Sequence, residues 1–515
     1  MRVKNSLKNI SIGILTQVII TLLGFISRKV FFDSLGTEYL GVNGLLTNVL
    51  SMLSLVESGI GVSITYNLYK PLAENDEEGV IALVQLYKRL YEILAILIFL
   101  LSLTLYPFLG MLMNNNSGVP FIGLIYFIFV IKNMISYLNA HKWSLINSDQ
   151  KGYVLAKYNL FFNIITTIAK IIVLLLTKNY ILYLLIEAGI FIIQNIWNGA
   201  IVNKRYSYIK TKNKYSVKKD IKQKLVTNVK ALFLHNIGSY CVFGTDNLLI
   251  SAFVSVKAVG LYSNYTMIIG QLTALLTPMI NGVGASVGNL IATESKEKNY
   301  EVFKMVKLVN FWIYSFCAIF LFNLIDPFIR WWLGEGLLLD RLTLIIILIN
   351  FYITGMRSAI NTFKSKAGIF SEDKYIPLIE AIINLVASII LVKYFGLAGV
   401  FMGTTISSIT IPVWTQSKLV YNKVFNKSVK EYFKSYIFYI FLTMFTGYIT
   451  TIICDKTIMW NGFSALIAKG LICVIIINSV YLAIFFKSDE LKYLFSIAKT
   501  MLNTLRKNYN IRIYI

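Results

Sequence analysis

The chain has 515 residues, of which 57% are hydrophobic and 14% charged, with 49 Lys and Arg against 25 Asp and Glu. Ordinary soluble domains carry about 25% charged residues. The composition therefore excludes an ordinary soluble protein and predicts a chain that uses lipid as its solvent. The net charge of +24 would also fit a nucleic-acid-binding protein, but the distribution of the basic residues along the chain argues against that class.

Membrane-spanning helices need about 20 mainly apolar residues, and such stretches follow one another through almost the whole chain. The first is predicted to be a retained span, because it is longer than the apolar core of a signal peptide and shows no cleavage site. We predict an all-α polytopic membrane protein of about fourteen spans. They lie at 10–32, 41–68, 89–109, 120–141, 156–177, 180–202, 230–253, 259–291, 305–325, 342–361, 376–395, 397–417, 436–454 and 463–486.

The basic residues predict the orientation of these spans. An even number of spans places both termini on one side, and most of the 49 Lys and Arg lie in segments on that side. Cytoplasmic segments carry the excess of basic residues in membrane proteins, so both termini are predicted to be cytoplasmic. The most basic segment, 203–229, is interpreted as a connector that fixes this topology. The alternative is a site for anionic lipid or nucleic acid.

An internal repeat divides the predicted spans into two halves. The tract Gly59-Ile-Gly61-Val-Ser63-Ile64 recurs as Gly282-Val-Gly284-Ala-Ser286-Val287. A second block, Met134 to Tyr153, recurs as Met356 to Tyr375 at nearly the same offset. Each unit holds six spans, so the halves are predicted to be parallel repeats related by an axis along the membrane normal. The predicted domains are an N-lobe (1–202), a basic linker (203–229), a C-lobe (230–435) and a segment with spans thirteen and fourteen and a basic tail (436–515).

Small residues and proline mark points where spans two and eight are predicted to bend. The candidate hinge residues are Gly59, Gly61, Pro278, Gly282 and Gly284. The alternative is close helix packing through small residues. The tract that begins at Gly282 approaches a dinucleotide-binding fingerprint, but it follows no strand. The four cysteines lie in apolar stretches without CxxC spacing, so no disulfide, metal site or cofactor is expected.

Several short tracts resemble a known superfamily. They are Ser27-Arg28, Leu35-Gly36-Thr-Glu-Tyr39-Leu-Gly41, Thr245-Asp246-Asn247 and Val259-Gly260-Leu-Tyr262-Ser-Asn264-Tyr265. By these tracts the chain resembles the multidrug/oligosaccharidyl-lipid/polysaccharide exporters, and most of all their polysaccharide (Wzx-type) flippases. The resemblance implies two six-helix lobes around a central cavity that opens alternately to either side. It also favours Arg28 as a contact to the substrate. Asn264 in the last tract is a further candidate for substrate binding, and Tyr262 is a candidate because sugars stack on exposed aromatic faces.

Ionisable residues deep inside predicted spans are the remaining candidate site residues. A charge at the centre of a membrane helix costs about 2.5–3.5 kcal/mol on insertion scales. Lys132, Lys170 and Arg357 are predicted to bind substrate, and Glu57 and Asp246 to couple transport to a cation or to form ion pairs. The alternative is a structural ion pair between helices, such as Glu57 with Lys132 or Lys170. Glu187 receives no assignment.

The deep cations of the first lobe point to an anionic cargo. Lysine and arginine suit phosphate, so the hypothesis is a bacterial plasma-membrane flippase for oligosaccharides linked to a lipid (pyro)phosphate. The expected partners are that substrate and membrane lipids, with a polysaccharide polymerase and glycosyltransferases as candidates and no nucleic acid. The alternatives are a peptidoglycan-precursor (lipid II) flippase, a cation-coupled multidrug exporter and a membrane glycosyltransferase or polymerase. The last needs a larger outer loop than 326–341.

Overall fold

The structure is a computed structural model that describes residues 2–57, 60–113, 118–149, 151–217, 222–223, 240, 244–369 and 372–495. Its regular elements in these ranges are helical. In chain order they are α1 (Arg2–Leu35), α2 (Thr37–Leu53), α3 (Ile60–Glu74), α4 (Glu77–Leu105), α5 (Leu109–Leu112), α6 (Ile122–Leu138), α7 (Ala140–Ser148), α8 (Tyr153–Thr177), α9 (Tyr180–Arg205), α10 (Asp246–Phe253), α11 (Val256–Thr293), α12 (Lys296–Leu333), α13 (Arg341–Lys366), α14 (Ile376–Phe395), α15 (Leu397–Thr410), α16 (Pro412–Val420), α17 (Lys430–Thr457) and α18 (Phe463–Phe485).

The long helices have the surface of membrane spans. Within the described ranges, nine helical segments are long and apolar enough to cross a membrane, or ten if α6 and α7, bent by 46°, form one span. Helix α8 illustrates the reason, because its exposed side chains Phe161, Ile165, Ile168 and Ile172 form one apolar stripe. An apolar stripe left bare on a long helix faces hydrocarbon rather than water. The chain is therefore a multi-pass membrane protein, as predicted.

Most of the predicted spans correspond to described helices, and two differences concern the course of the backbone. Predicted span 230–253 lies mainly outside the described residues, and α10 covers only its end. Predicted span 41–68 is interrupted, because α2 passes into a 3₁₀ turn at Ser54–Glu57 and α3 begins at Ile60. The predicted outer loop 326–341 is mostly helical, since α12 continues to Leu333 and leaves only Gly334–Asp340 before α13. Apolar composition identifies a span, but it does not reveal where the backbone hydrogen bonding changes inside it.

Side-chain caps explain where several helices begin. The Oδ1 atom of Asp76 accepts the amide of Gly79 at 2.9 Å before α4, and Asp340 accepts that of Thr343 at 2.9 Å before α13. Asn179 accepts the amide of Leu182 at 3.0 Å and starts α9. Each cap satisfies a backbone donor that the first helical turn leaves unpaired.

The contacts divide the chain into two compact units. The first holds residues 1–278 and Pro377–Val400, and the second holds Met279–Ile376 and the chain from Phe401 onward. The boundary at Pro278 falls inside α11, and the first unit also includes α14. This division differs from the two consecutive lobes expected from the repeat, which stay a prediction, as do the span count and the orientation.

Each unit has its own apolar core. In the first, α1 packs on α8, α8 on α9, and α6 on α4 and α9. In the second, α12 packs on α13, α17 and α18, and aromatic rings fill the centre. There the rings of Phe311 and Tyr439 stack with their centroids 4.1 Å apart. The first unit holds most of the predicted site residues.

Two helices of the first unit, α2 and α11, approach closely where both carry glycine. A Cβ atom at Gly41 would collide with the backbone carbonyl of Val256, and one at Gly260 with that of Thr37. A larger residue at either position would force the helices apart, so the crossing requires glycine. Both glycines belong to tracts that carry the superfamily resemblance, which gives those tracts a packing role.

We predict that Gly41→Ala and Gly260→Ala lower the thermal unfolding temperature of the detergent-solubilised protein. The expected destabilisation is about 1–3 kcal/mol, because the added methyl group overpacks the crossing. The matched control is Gly270→Ala, since a Cβ atom there meets nothing within 4 Å on the same helix α11. Equal unfolding temperatures for all three variants would contradict the close crossing.

Candidate functional site

Three helices of the first unit bring together one carboxylate and two lysines. The Nζ atom of Lys170 on α8 lies 2.5 Å from Oε2 of Glu187 on α9, and Lys132 on α6 pairs with Oε1 of the same carboxylate. The side chains of Lys132, Lys170 and Glu187 are 34%, 17% and 22% exposed. Two positive charges share one negative charge, so the cluster keeps a net charge of +1.

Aromatic rings complete the surroundings of both lysines. The Nζ atom of Lys170 lies 4.4 Å from the ring centroid of Tyr183, and that of Lys132 lies 5.8 Å from Phe191. Cations at these distances are attracted to the face of an aromatic ring, more strongly where water is scarce. The rings therefore hold the ammonium groups without adding negative charge.

The two lysines form ion pairs between helices, which was the alternative to substrate binding, but their partner is Glu187 and not Glu57. The sequence suggested Glu57 as the partner of Lys132 or Lys170, and that pairing is wrong, because Glu187 occupies the position between the two lysines. Glu187, which received no assignment, lies one helical turn from Phe191 on the face of α9 that carries the cluster. Binding of substrate by the two lysines stays a prediction.

Glu57 lies at a separate cavity in the first unit. It ends the 3₁₀ turn after α2, and its Oε1 atom accepts a hydrogen bond from the hydroxyl of Tyr91 at 3.1 Å. The cavity has a volume of about 520 Å³, and Glu57 shares its lining with Thr65, Tyr69, Tyr91 and Trp143. This arrangement offers a carboxylate and aromatic rings to a bound molecule.

Arg28 and Asn264, both predicted to bind substrate, are brought together. The Nε atom of Arg28 on α1 donates to Oδ1 of Asn264 on α11 at 3.0 Å, and its Nη2 atom donates to the Ser263 hydroxyl. Tyr262 lies on α11 directly before Ser263 and Asn264. Two arms of the guanidinium are thus committed to protein acceptors and fix its plane.

Arg357 lies in the second unit and is buried. Its Nη2 atom is 3.3 Å from Oε1 of Gln416. Sequence reasoning missed a second buried cation of this unit, Lys307, whose Nζ donates to the Ser435 hydroxyl at 2.9 Å near the rings of Tyr432 and Tyr439. In the sequence, Lys307 lies only two residues after the predicted start of a span at 305, where basic residues are common at the cytoplasmic edge. Helix α12 instead begins at Lys296, so Lys307 lies inside it.

The remaining candidates are dispersed. Asp246 is buried in the first turn of α10, and within the described residues its Oδ1 atom has no hydrogen-bond partner. Gly59 lies outside the described residues, and Gly61 lies in the first turn of α3 beside the interruption of span two. Pro278, Gly282 and Gly284 all lie within the single helix α11. Bending at these positions stays a prediction.

We predict that Glu187→Gln destabilises the protein more than Lys132→Met or Lys170→Met. Loss of the shared carboxylate leaves two partly buried ammonium groups without an anion, and breaking a fully buried pair in this way costs about 3–5 kcal/mol. Loss of either lysine leaves a neutral pair. The unfolding temperature in detergent measures the order.

Glu92→Gln is the matched control for this comparison, because Glu92 pairs with Lys88 at 3.8 Å with both side chains about half exposed. Surface pairs of this kind contribute about 0–1 kcal/mol. An unfolding temperature for Glu187→Gln as high as that of the control would contradict the shared ion pair.

Comparison with known proteins identifies the family. The sequence matches the family described as "Polysaccharide biosynthesis protein" over residues 6–284, which is more than half of the chain. A search among curated proteins finds no match.

Solved structures show the same fold. The structure is similar to the lipid II flippase MurJ in an inward closed conformation, with a TM-score of 0.62, 15% identity and coverage of 92% of this chain and 98% of that one. It is also similar to an inward-facing multidrug resistance MATE family transporter of the MOP superfamily, with a TM-score of 0.55, 13% identity and coverage of 79% and 97%. A mutant MATE transporter of Vibrio cholerae is similar with a TM-score of 0.53, 13% identity and coverage of 83% of this chain and 99% of that one. The chain therefore belongs to the polysaccharide biosynthesis protein family and has the fold shared by MurJ and the MATE transporters, which confirms the resemblance found in its sequence.

Proposed function

We propose that the protein is a flippase that moves lipid-(pyro)phosphate-linked oligosaccharides from the cytoplasmic to the outer leaflet of a bacterial plasma membrane for surface polysaccharide synthesis. The family supports a role in polysaccharide synthesis, and the fold supports transport. The observation that carries the choice of cargo is the cluster of Lys132, Lys170 and Glu187. Alternating access of two lobes is part of the proposal.

The charge of the cluster suits a phosphate. With Glu187 alone the two lysines keep one uncompensated positive charge inside membrane helices, where a charge costs about 2.5–3.5 kcal/mol. A phosphate or pyrophosphate supplies the missing negative charge and accepts several charge-assisted hydrogen bonds. Glu187 then holds the lysines in place while the site is empty, and Lys132, the more exposed of the two, meets the anion first.

Arg28 is a second candidate for the phosphate. Its guanidinium is held in one plane by Asn264 and Ser263, and this pre-orientation favours the planar, bidentate recognition of which arginine is capable. Its position on α1, which packs on α8, places it in the same unit as the lysine cluster.

We predict that Lys132→Ala and Lys170→Ala reduce surface polysaccharide at least tenfold in cells whose only copy is the variant. Each removes a charged hydrogen bond worth about 1.5–3 kcal/mol, and about 1.4 kcal/mol corresponds to tenfold. Surface polymer and the amount of membrane-inserted protein are measured together. Lys132→Arg and Lys170→Arg keep the charge and should restore part of the export.

Lys88→Ala is the matched control, since this lysine is exposed and pairs with Glu92. Normal export by Lys132→Ala and Lys170→Ala at normal protein levels would contradict the proposed cargo site. Loss of viability on deletion, with surface polymer intact, would instead support a peptidoglycan-precursor flippase.

A second candidate function has one specific observation in its favour. Glu57 and the rings of Tyr69, Tyr91 and Trp143 line one cavity, and a carboxylate with aromatic faces is the chemistry that binds an organic cation. A cation-coupled multidrug exporter would use such a site. The uncompensated charge of the lysine cluster in the same unit opposes it, because it repels a cationic cargo.

We predict that proteoliposomes of the purified protein do not accumulate ethidium above the level of empty vesicles. Vesicles with Glu57→Gln should contain the same low amount of ethidium as vesicles with the wild type, because we expect neither protein to bind ethidium. Vesicles with the Glu92→Gln variant serve as the control. Accumulation of ethidium that Glu57→Gln abolishes and Glu92→Gln retains would replace the flippase by a drug exporter.

A further inference from the structure

A second cavity of the first unit is lined by amide side chains. Its volume is about 380 Å³, and Asn147, Asn159, Gln194, Asn195 and Asn198 all contribute to its wall. Trp143 and Phe191 add two aromatic rings, and no lining residue carries a charge. Through Trp143 and Asn147 it adjoins the cavity that contains Glu57.

Asn159 organises the amides of this cavity. Its Oδ1 atom accepts hydrogen bonds from Nε2 of Gln194 at 2.9 Å and from Nδ2 of Asn198 at 2.7 Å. Asn198 is only 4% exposed, and within the described part of the chain its own Oδ1 atom has no hydrogen-bond partner. A buried acceptor without a donor costs free energy, and this unsatisfied acceptor belongs to a side chain that lines the cavity.

The amides lie on helices whose other face is apolar. On α9, Gln194 and Asn198 share a face with Glu187 at helical spacing, while Ile193 and Ile196 are exposed on the opposite face. Amide groups are costly to place in hydrocarbon without partners. Their clustering around one cavity therefore indicates a polar chamber that faces away from lipid.

The cavity and the lysine cluster are built on the same three helices. Helix α6 supplies Lys132 to the cluster and Ser136 to the cavity, and α8 supplies Lys170 and Asn159. Phe191 lines the cavity and lies beneath the ammonium group of Lys132. Eleven residues separate Lys170 from Asn159 along α8, or about 16 Å.

A contact outside the spans joins two segments that are close in sequence to the cavity lining. The hydroxyl of Tyr206, just after α9, donates to Oδ2 of Asp149 in the turn between α7 and α8 at 2.6 Å. Burial and the neighbouring carboxylate raise the pKa of Tyr206, so the hydroxyl keeps its proton and remains a donor. This contact ties the turn that follows Asn147 to the end of α9, the helix that carries Asn198.

We propose that the amide-lined cavity binds an uncharged sugar of the lipid-linked oligosaccharide while the lysine cluster binds its phosphate. This inference rests on the proposed flippase function and narrows it, since it assigns the negative charge of the cargo to the phosphate and not to the sugar in the cavity. Sugar hydroxyls both donate and accept, as amides do, and the two rings offer apolar contact to sugar C–H groups. An acidic sugar finds no cation in the lining.

The test measures binding of methyl glycosides to the full-length protein in nanodiscs by saturation-transfer NMR at millimolar concentration. Methyl glucoside, methyl galactoside and methyl N-acetylglucosaminide are compared with methyl glucuronide. We expect at least one neutral glycoside to bind and the glucuronide signal to be about tenfold weaker, a difference of about 1.4 kcal/mol. Asn159→Leu should abolish binding, because it removes the acceptor that holds Gln194 and Asn198.

Two further variants guard against a folding defect. Gln194→Leu removes a half-buried amide and leaves the bond between Asn198 and Asn159, so it should weaken binding without loss of the fold. Asn422→Leu is the matched control, since this exposed amide lies in the second unit. Equal signals from Asn159→Leu, Gln194→Leu and wild type, or equal binding of the glucuronide, would overturn the proposal.

Translocation of a lipid-linked oligosaccharide into proteoliposomes separates this inference from the function on which it rests. Translocation by the wild type without binding of any neutral glycoside would overturn the sugar site and leave the flippase intact. Absence of translocation by the wild type would instead overturn the flippase. Weaker binding and slower translocation in a folded Gln194→Leu variant, with both retained in Asn422→Leu, is the result that we expect.

Discussion

A positive charge inside a membrane needs a nearby anion, and this requirement organises the first unit. Lys132, Lys170 and Glu187 come from three different helices, so their meeting fixes how α6, α8 and α9 pack. One carboxylate cannot neutralise two ammonium groups. The unit therefore folds with an incomplete charge balance, which an anionic cargo completes under the proposed function. The proposed function thus assigns the stability of the empty protein and the recognition of a phosphate to the same three side chains.

The close crossing of α2 and α11 gives a physical meaning to the tracts that marked the superfamily. Gly41 and Gly260 allow two backbones to touch, and four residues after Gly260, Asn264 holds the guanidinium of Arg28. A glycine contact of this kind lets the two helix backbones touch and so determines the distance between the helix axes. Packing and a candidate contact to the substrate are therefore coupled within a few residues of α11.

Much of the fold was predictable from the sequence, because apolar length alone specifies a membrane helix. Predicted span 376–395 coincides with α14, and α8 and α9 begin within a few residues of their predicted starts. The partner of the lysines was not predictable. Glu187 is seventeen residues from Lys170 and fifty-five from Lys132, and only helix packing decides which carboxylate lies between them. Lys307 was missed because hydropathy places the start of a span where apolar residues begin, whereas α12 starts with a polar turn.

The two faces of α9 restrict how this helix can move. Glu187, Gln194 and Asn198 lie on one face, and the exposed Ile193 and Ile196 lie on the other. Rotation by half a turn about its own axis would push a carboxylate and several amides into acyl chains and bring isoleucine into a polar chamber. Tilting or sliding as a rigid rod avoids that exchange. The surrounding lipid thus fixes the rotation of α9 about its own axis. Any conformational change of the protein must therefore move this helix without rotating it about that axis.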